Sequence, residues 1–299
     1  MDTVSDAVLA AVQRLQHLDP RLMAVALVLQ VVNVGLRGTA WWGVLRAAHP
    51  GRRVPLGGVL CAYTAGMAAN TLLPARGGDG LKALLVRQRL PGACIATIAG
   101  TMLVTALFDS VAGALALTGA WALGMAHAPH LPHVPLWAIA AAAAAAVGVA
   151  LLLRARIGER LRRVAADLRR GGAILRTPRR YASEVVSLQA AAWCCRVAVA
   201  YVLLHAFHIQ AGLGEALAVV VLGGLSAAVP AAPGGAGTQQ VLVVYALQRV
   251  ATATAALSFA VGMQAGISTL NAALGLCALL VLFRTARPLA ALRATRALT

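Results

Sequence analysis

Acidic residues are scarce in this chain of 299 residues: nine Asp and Glu stand against 26 Lys and Arg. Only one of the 26, Lys82, is lysine. So few carboxylates leave little material for acid/base catalysis, and near the two segments singled out below only Asp79 and Asp109 are available. Charged residues make up 12% and aromatics 4%, and no Gly-x4-Gly-Lys-Ser/Thr phosphate loop occurs, so no hydrolysable nucleotide cofactor is expected. The five cysteines (Cys61, Cys94, Cys194, Cys195, Cys277) lack metal-ligand spacing and fall in apolar stretches, where they are expected as small packing residues rather than disulfides.

What the chain does have is apolar sequence. Sixty per cent of it is hydrophobic, the mean hydropathy is +0.79, and several runs exceed the roughly 20 residues needed to cross a bilayer. This composition predicts an all-α integral membrane protein with too little polar sequence for a soluble catalytic domain. The net charge of +17 resides in short segments flanking the apolar runs, the distribution expected of membrane topology rather than of nucleic-acid binding. An Ala- and Arg-heavy, Lys-poor composition suggests a GC-rich bacterial genome and hence a bacterial plasma membrane. Residues 1–21 carry Asp2, Asp6 and Asp19 without a compact apolar core, so a surface segment is expected there instead of a cleavable signal peptide, with a short amphipathic helix over 7–18.

Full spans are expected at 22–45, 92–126, 134–153, 185–208 and 252–283, about five in all. Between the first two lies a broken pair, 55–73 and 78–90, and between the last two another, 215–229 and 237–250. Each break joins proline to a Gly-Gly-x-Gly run. The first runs from Asn70 through Pro74, Arg76, Gly77, Gly78 and Asp79 to Gly80. The second runs from Pro230 through Pro233, Gly234 and Gly235 to Gly237. They lie 157 positions apart (234 − 77), and a shift of that size carries 22–126 onto 179–283. Broken helices at matching positions of two halves point to a central binding site. The expected architecture is two re-entrant-type hairpins in an inverted repeat within a membrane domain at 22–283. A linking helix occupies 134–153, a basic cytoplasmic loop 154–180 and a basic cytoplasmic tail 284–299. Ten arginines against Glu159 and Asp167 place the 154–180 loop inside. This count puts the N-terminus outside, and a break within 92–126 would reverse it.

Charges within apolar spans call for a partner or a role, since each costs about 2.5–3.5 kcal/mol at the bilayer centre on insertion scales. They are Arg37, Asp109 and Arg196, together with Arg76, Asp79 and Lys82 at the first break. Arg37 and Arg196 differ by 159, close to the repeat offset, so both are expected to face one cavity. Glycine frees backbone N–H groups, and the helix that follows aims its positive end into the break, which with Arg76 and Lys82 suits a phosphate. His127, His130 and His133 are separated by Pro129 and Pro132 and are expected in a solvated loop, not a metal site. Ser226 has no later histidine than His208 to serve as its base, so an intramembrane serine protease is not expected.

The two breaks resemble the signatures of flippase-like proteins related to the membrane region of lysylphosphatidylglycerol synthase. The first signature, Pro-Gly-Arg-x-Gly-Glu with a basic residue three positions on, corresponds to the run from Pro74 to Lys82. The second, Pro-x-x-Pro-Gly-Gly-x-Gly followed by Glu, corresponds to the run from Pro230 to Gln240. Trp41 and Trp42 fit an aromatic near the end of the first span, and the resemblance covers roughly 20–285. It implies a lipid-handling membrane protein without the synthase domain. This chain departs from the family pattern at Thr105 and Ala106, where a Glu-Arg pair precedes the retained Asp109. It departs again at Gln240, in place of Glu, and at Gln264, in place of Arg.

The expectation is a lipid flippase or scramblase for an anionic phospholipid or a polyprenyl-phosphate-linked lipid. Arg76, Lys82, Arg37 and Arg196 would hold the phosphate, with Asp79 and Asp109 orienting them. Asn70, Gly77, Gly78, Gly80, Pro233, Gly234, Gly235, Gly237, Gln240 and Gln264 would shape the site. The alternatives are an accessory subunit serving a lipid- or glycan-synthesis enzyme and a membrane-embedded lipid-phosphate transferase; a homo-oligomer is left open.

Overall fold

The computed structural model describes residues 19–72, 77–122, 158–225 and 237–285. The described residues form helices and no strands. Helix α1 (Pro20–Ala48) is started by Asp19, whose carboxylate accepts the backbone N–H groups of Arg21 at 2.8 Å and Leu22 at 3.4 Å, with Pro20 in the first turn. Then come α2 (Leu56–Leu72), α3 (Gly77–Arg89), α4 (Ile95–Ala122) and α5 (Gly158–Gly171). A 3₁₀ turn at Ala173–Arg176 leads into α6 (Pro178–Ala206), which carries a π-helical turn at Ala182–Val186. The order closes with α7 (Leu213–Leu225), α8 (Thr238–Leu247) and α9 (Ala253–Thr285).

Four of these are long and apolar enough to cross a membrane: Pro20–Ala48, Ile95–Ala116, Pro178–Ala206 and Ala253–Leu282. They match four of the five expected spans; the fifth, 134–153, lies outside the described residues, as do 1–18, the His127–His133 loop and most of the tail. The segment read as a basic loop carries helix α5. Helix α4 runs unbroken. Helices α2, α3, α7 and α8 have 17, 13, 13 and 10 residues. At 1.5 Å per residue these reach about 15–25 Å, short of the roughly 30 Å hydrocarbon core.

Helices α1 and α6 lie antiparallel along most of their length. At one end the Asp19 N–H donates to the Ala206 carbonyl (3.5 Å), and at the other Arg46 pairs with Glu184 at 2.7 Å. The Arg46 guanidinium also stacks on Trp42. Around this pair lie two large core clusters and a small third one of Val44, Val104, Ile174 and Val185. One cluster joins the Trp41 end of α1 to α2, α3 and the start of α4 through Tyr63, Val86, Leu90 and Ile98. The other joins the Ala26 end of α1 and the Leu203 end of α6 to α7, α8 and the start of α9 through Val219, Leu247 and Phe259. Across the halves, α2 packs on α9 and α7 touches α4. Arg89 donates to the Leu282 carbonyl (3.4 Å), fixing the end of α3 beside the end of α9. Outward faces carry large aliphatics such as Val28, Leu103, Leu115 and Leu276, as lipid-solvated helices do.

Tight crossings occur at small residues. Gly78 at the start of α3 lies against the Gly66 carbonyl of α2, so that a Cβ at either position would collide with the facing helix or with the Lys82 stem. Gly100 of α4 meets Leu168 and Gly171 of α5, and Gly275 of α9 meets Ala68 and Thr64 of α2. These contacts seat the first helical pair against the middle of α9.

Candidate functional site

Of the charges expected inside the membrane, Arg37, Asp79, Lys82, Asp109 and Arg196 fall on one connected chain of contacts. Arg37, well inside α1, grips Asp109 of α4 with both prongs (Nη1 to Oδ1 3.2 Å, Nη2 to Oδ2 2.5 Å), and its Nε donates to the Tyr63 hydroxyl of α2 at 2.9 Å. A bidentate guanidinium–carboxylate pair is among the stronger polar contacts and fixes orientation as well as distance. Asp109 also accepts from the Trp193 indole of α6 (3.0 Å), and the Arg196 guanidinium rests 4.9 Å over that indole ring. On its other side the Tyr63 ring faces the Lys82 ammonium at 4.7 Å. Lys82 pairs with Asp79 (2.8 Å), and Asp79 accepts from the Asn70 amide (3.2 Å). One path therefore runs from Asn70 at the first break, through Asp79, Lys82, Tyr63, Arg37, Asp109 and Trp193, to Arg196.

The charges along this path do not balance. Lys82, Arg37 and Arg196 bring three positive charges and Asp79 and Asp109 two negative ones, leaving 3 − 2 = +1. Asp79 neutralises Lys82 within α3, and Asp109 neutralises Arg37. Arg196 lies within electrostatic range of both Arg37 and Asp109 yet forms no ion pair or hydrogen bond among the described residues. The free charge thus belongs to Arg196, whereas the sequence had drawn attention to Lys82.

The second break is neutral. Gly237, at φ +88°, precedes α8 in a backbone state that glycine tolerates, and its N–H donates to the Gln240 side-chain oxygen at 2.6 Å. The Gln240 amide in turn donates to Gln264 of α9. A small apolar depression lies between α1, α6 and α9, lined by Met23, Val199, Leu203, Met263, Gly266 and Ile267. Val199, which lines it, is one turn from Arg196 on α6.

Of the residues expected at the site, Asn70, Asp79, Lys82, Arg37, Asp109 and Arg196 share one network, and Gln240 and Gln264 share another. Gly78 is required by its close approach to α2. Gly80 meets open space, and Gly77 forms the exposed start of α3. Arg76, Pro233, Gly234 and Gly235 lie outside the described residues. Tyr63 and Trp193 were missed. Their spacing signals them: Tyr63 is seven positions before Asn70 and Trp193 three before Arg196, each on a shared helix face. All five cysteines are free thiols, with Cys94, Cys194 and Cys277 exposed rather than packed. The described residues contain no group of three or more His, Cys, Asp or Glu placed to hold a metal.

No curated protein matches the chain. The family described as Lysylphosphatidylglycerol synthase TM region matches residues 7–275. With nearly the whole membrane region covered and the charged path joining its first break to mid-span, this chain is a multi-pass membrane protein that belongs to the lysylphosphatidylglycerol synthase TM-region family, a family tied to lipid handling.

Proposed function

We propose that the protein is a lipid flippase or scramblase that passes the anionic headgroup of a phospholipid or polyprenyl-phosphate-linked lipid between leaflets, without itself catalysing a covalent step. The observation that carries this reading is the uncompensated charge of Arg196. An arginine stays protonated under all physiological conditions, and an unpaired one at mid-span is costly unless an anion joins it. A lipid phosphate beside Arg196 would bring the net charge of the path to zero.

The architecture supports alternating exposure. Helices α1–α4 and α6–α9 correspond in order, α1 lies antiparallel to its counterpart α6, and the cross-contacts α2 to α9 and α7 to α4 are equivalent under exchange of the halves. We read this as an inverted repeat whose two short helical pairs are re-entrant hairpins entering from opposite faces. The end bearing Arg46, Arg52, Arg89 and Arg180 would be cytoplasmic in a bacterial plasma membrane.

The test uses purified protein in liposomes containing a fluorescent anionic lipid and a membrane-impermeant quencher. Protein-dependent loss of the protected inner-leaflet signal is expected, with Arg196→Gln slowing it at least about tenfold, the value of one charge-assisted contact. Complete protection by monodisperse, folded protein would overturn the reading. So would an unchanged rate in Arg196→Gln.

A further inference from the structure

Arg37 and Arg196 are held in opposite ways. Arg37 has its donors engaged: Nε goes to the Tyr63 hydroxyl and both Nη groups go to Asp109. Arg196 instead rests over the Trp193 ring, 4.9 Å from its centroid, with no hydrogen bond among the described residues. An aromatic face attracts a guanidinium through its quadrupole and offers it no lone pair. The contact therefore restrains the cation while its N–H groups stay open to another acceptor. A carboxylate in the same place would hold the arginine and neutralise it at once.

Trp193 is itself fixed from α4. Its indole N–H donates at 3.0 Å to Asp109 Oδ1, the oxygen that Arg37 Nη1 also reaches. One turn further along α4, Gly113 lets the ring lie close, since a Cβ there would stand 3.5 Å from Cη2 and 3.8 Å from Cζ2. The ring edge from Nε1 to Cη2 thus faces α4, and a ring face is left for Arg196, three residues on along α6. Through this one ring, the compensated pair of α1 and α4 determines where the uncompensated guanidinium stands.

We infer that Trp193 is a positioning residue for anion binding: its ring is a platform that presents Arg196 to a lipid phosphate without occupying the arginine's hydrogen-bond donors. The inference rests on the anionic-lipid reading above and adds the residue that makes Arg196 a receptor.

The experiment titrates the purified protein in a neutral detergent with dioctanoyl phosphatidate. An apparent Kd follows from how the melting temperature rises with ligand. Dioctanoylglycerol, with the same chains and no phosphate, and inorganic phosphate are run in parallel. Trp193→Met is expected to raise the Kd for phosphatidate about tenfold, as loss of a desolvated cation–π contact allows, and Arg196→Gln at least as far. Trp193→Phe keeps a ring face and loses the N–H, so its Kd should stay within about threefold of the unsubstituted protein. The double variant Trp193→Met with Arg196→Gln should bind no more weakly than Arg196→Gln alone, because Trp193 acts through Arg196. A side chain that merely packs would lower the melting temperature of the free protein and leave the Kd where it was. Gly113→Val, which crowds the ring from α4, gives the same readout if Trp193→Met fails to fold. An unchanged Kd in Trp193→Met, equal losses in Trp193→Phe and Trp193→Met, or additive losses in the double variant would each overturn the inference and leave Arg196 as the anion site. Inorganic phosphate as potent as phosphatidate would overturn the lipid reading and keep the platform. Stabilisation by dioctanoylglycerol equal to that by phosphatidate, or none by either, sinks both.

Discussion

At the scale of single residues, Asp109 is the hinge of the charge balance. It accepts both prongs of Arg37 and the Trp193 indole while Arg196 stands nearby, so its removal leaves two arginines at mid-span without a carboxylate. Asp109→Asn is expected to lower stability by about 2 kcal/mol, below the range for breaking a fully buried pair because both side chains are only part-buried. The measurement is thermal or denaturant unfolding in detergent. Adding Arg37→Gln to Asp109→Asn should recover part of the loss, because the double variant buries one fewer unpaired charge. A double variant as unstable as the sum of its singles would show that Arg37 and Asp109 act independently, against the geometry. Arg37, Asp109 and Arg196 were legible in the sequence because charge is conspicuous in an apolar span. Tyr63 and Trp193 carry only the weaker signal of spacing, since an aromatic in such a span reads as ordinary packing until its polar edge has a partner. Nor does the sequence say which cation is already neutralised: Lys82 looked exceptional as the lone lysine, yet Asp79, three residues away on the same helix, satisfies it.

At the scale of elements, the first break shows how similar glycines divide into different roles. Gly78 and Gly80 stand two residues apart in the first turn of α3, and the sequence treats them alike. In the fold, Gly78 abuts the Gly66 carbonyl and the Asn70 backbone, whereas Gly80 meets nothing within 4 Å. Gly78→Ala should therefore pry α2 from α3 at a cost of about 1–3 kcal/mol, the usual toll of overpacking. Gly80→Ala should be neutral or stabilising by up to about 1 kcal/mol through helix propensity. Melting temperatures of the two variants in one detergent check both, and equal destabilisation would contradict the α2–α3 contact. Helix positions themselves were readable: the span expected at 22–45 is Pro20–Ala48, and the pair expected at 55–73 and 78–90 is Leu56–Leu72 and Gly77–Arg89. Asp19 with Pro20 and the Pro/Gly runs punctuate them locally. Helix α5 is hard to foresee because its arginines signal topology rather than helix, while the Gly171–Gly100 contact that seats it depends on a helix distant in sequence.

At the scale of the whole molecule, the question is which end faces which compartment. The antiparallel α1–α6 pair and the two larger core clusters define two ends. One gathers the end of α1, the start of α2 and the ends of α3 and α9. The other gathers the start of α1, the end of α6, the start of α7 and the end of α8. Under the inverted-repeat reading proposed above, the offset of 157 pairs the parts at one end with those at the other. Polarity is a separate matter, set by arginine placement rather than by packing. The arginines Arg46, Arg52, Arg53, Arg89 and Arg180 gather at the first end, and an excess of positive charge stays on the cytoplasmic side. In a background with the five native cysteines replaced, Arg53→Cys should resist a membrane-impermeant maleimide in intact cells and react only after permeabilisation. Glu215→Cys, at the start of α7, should react in intact cells. The reverse pattern would invert the topology and keep the fold. Reaction of both from one side would break the inverted repeat itself, because the two short helical pairs could then no longer open toward opposite faces of the membrane.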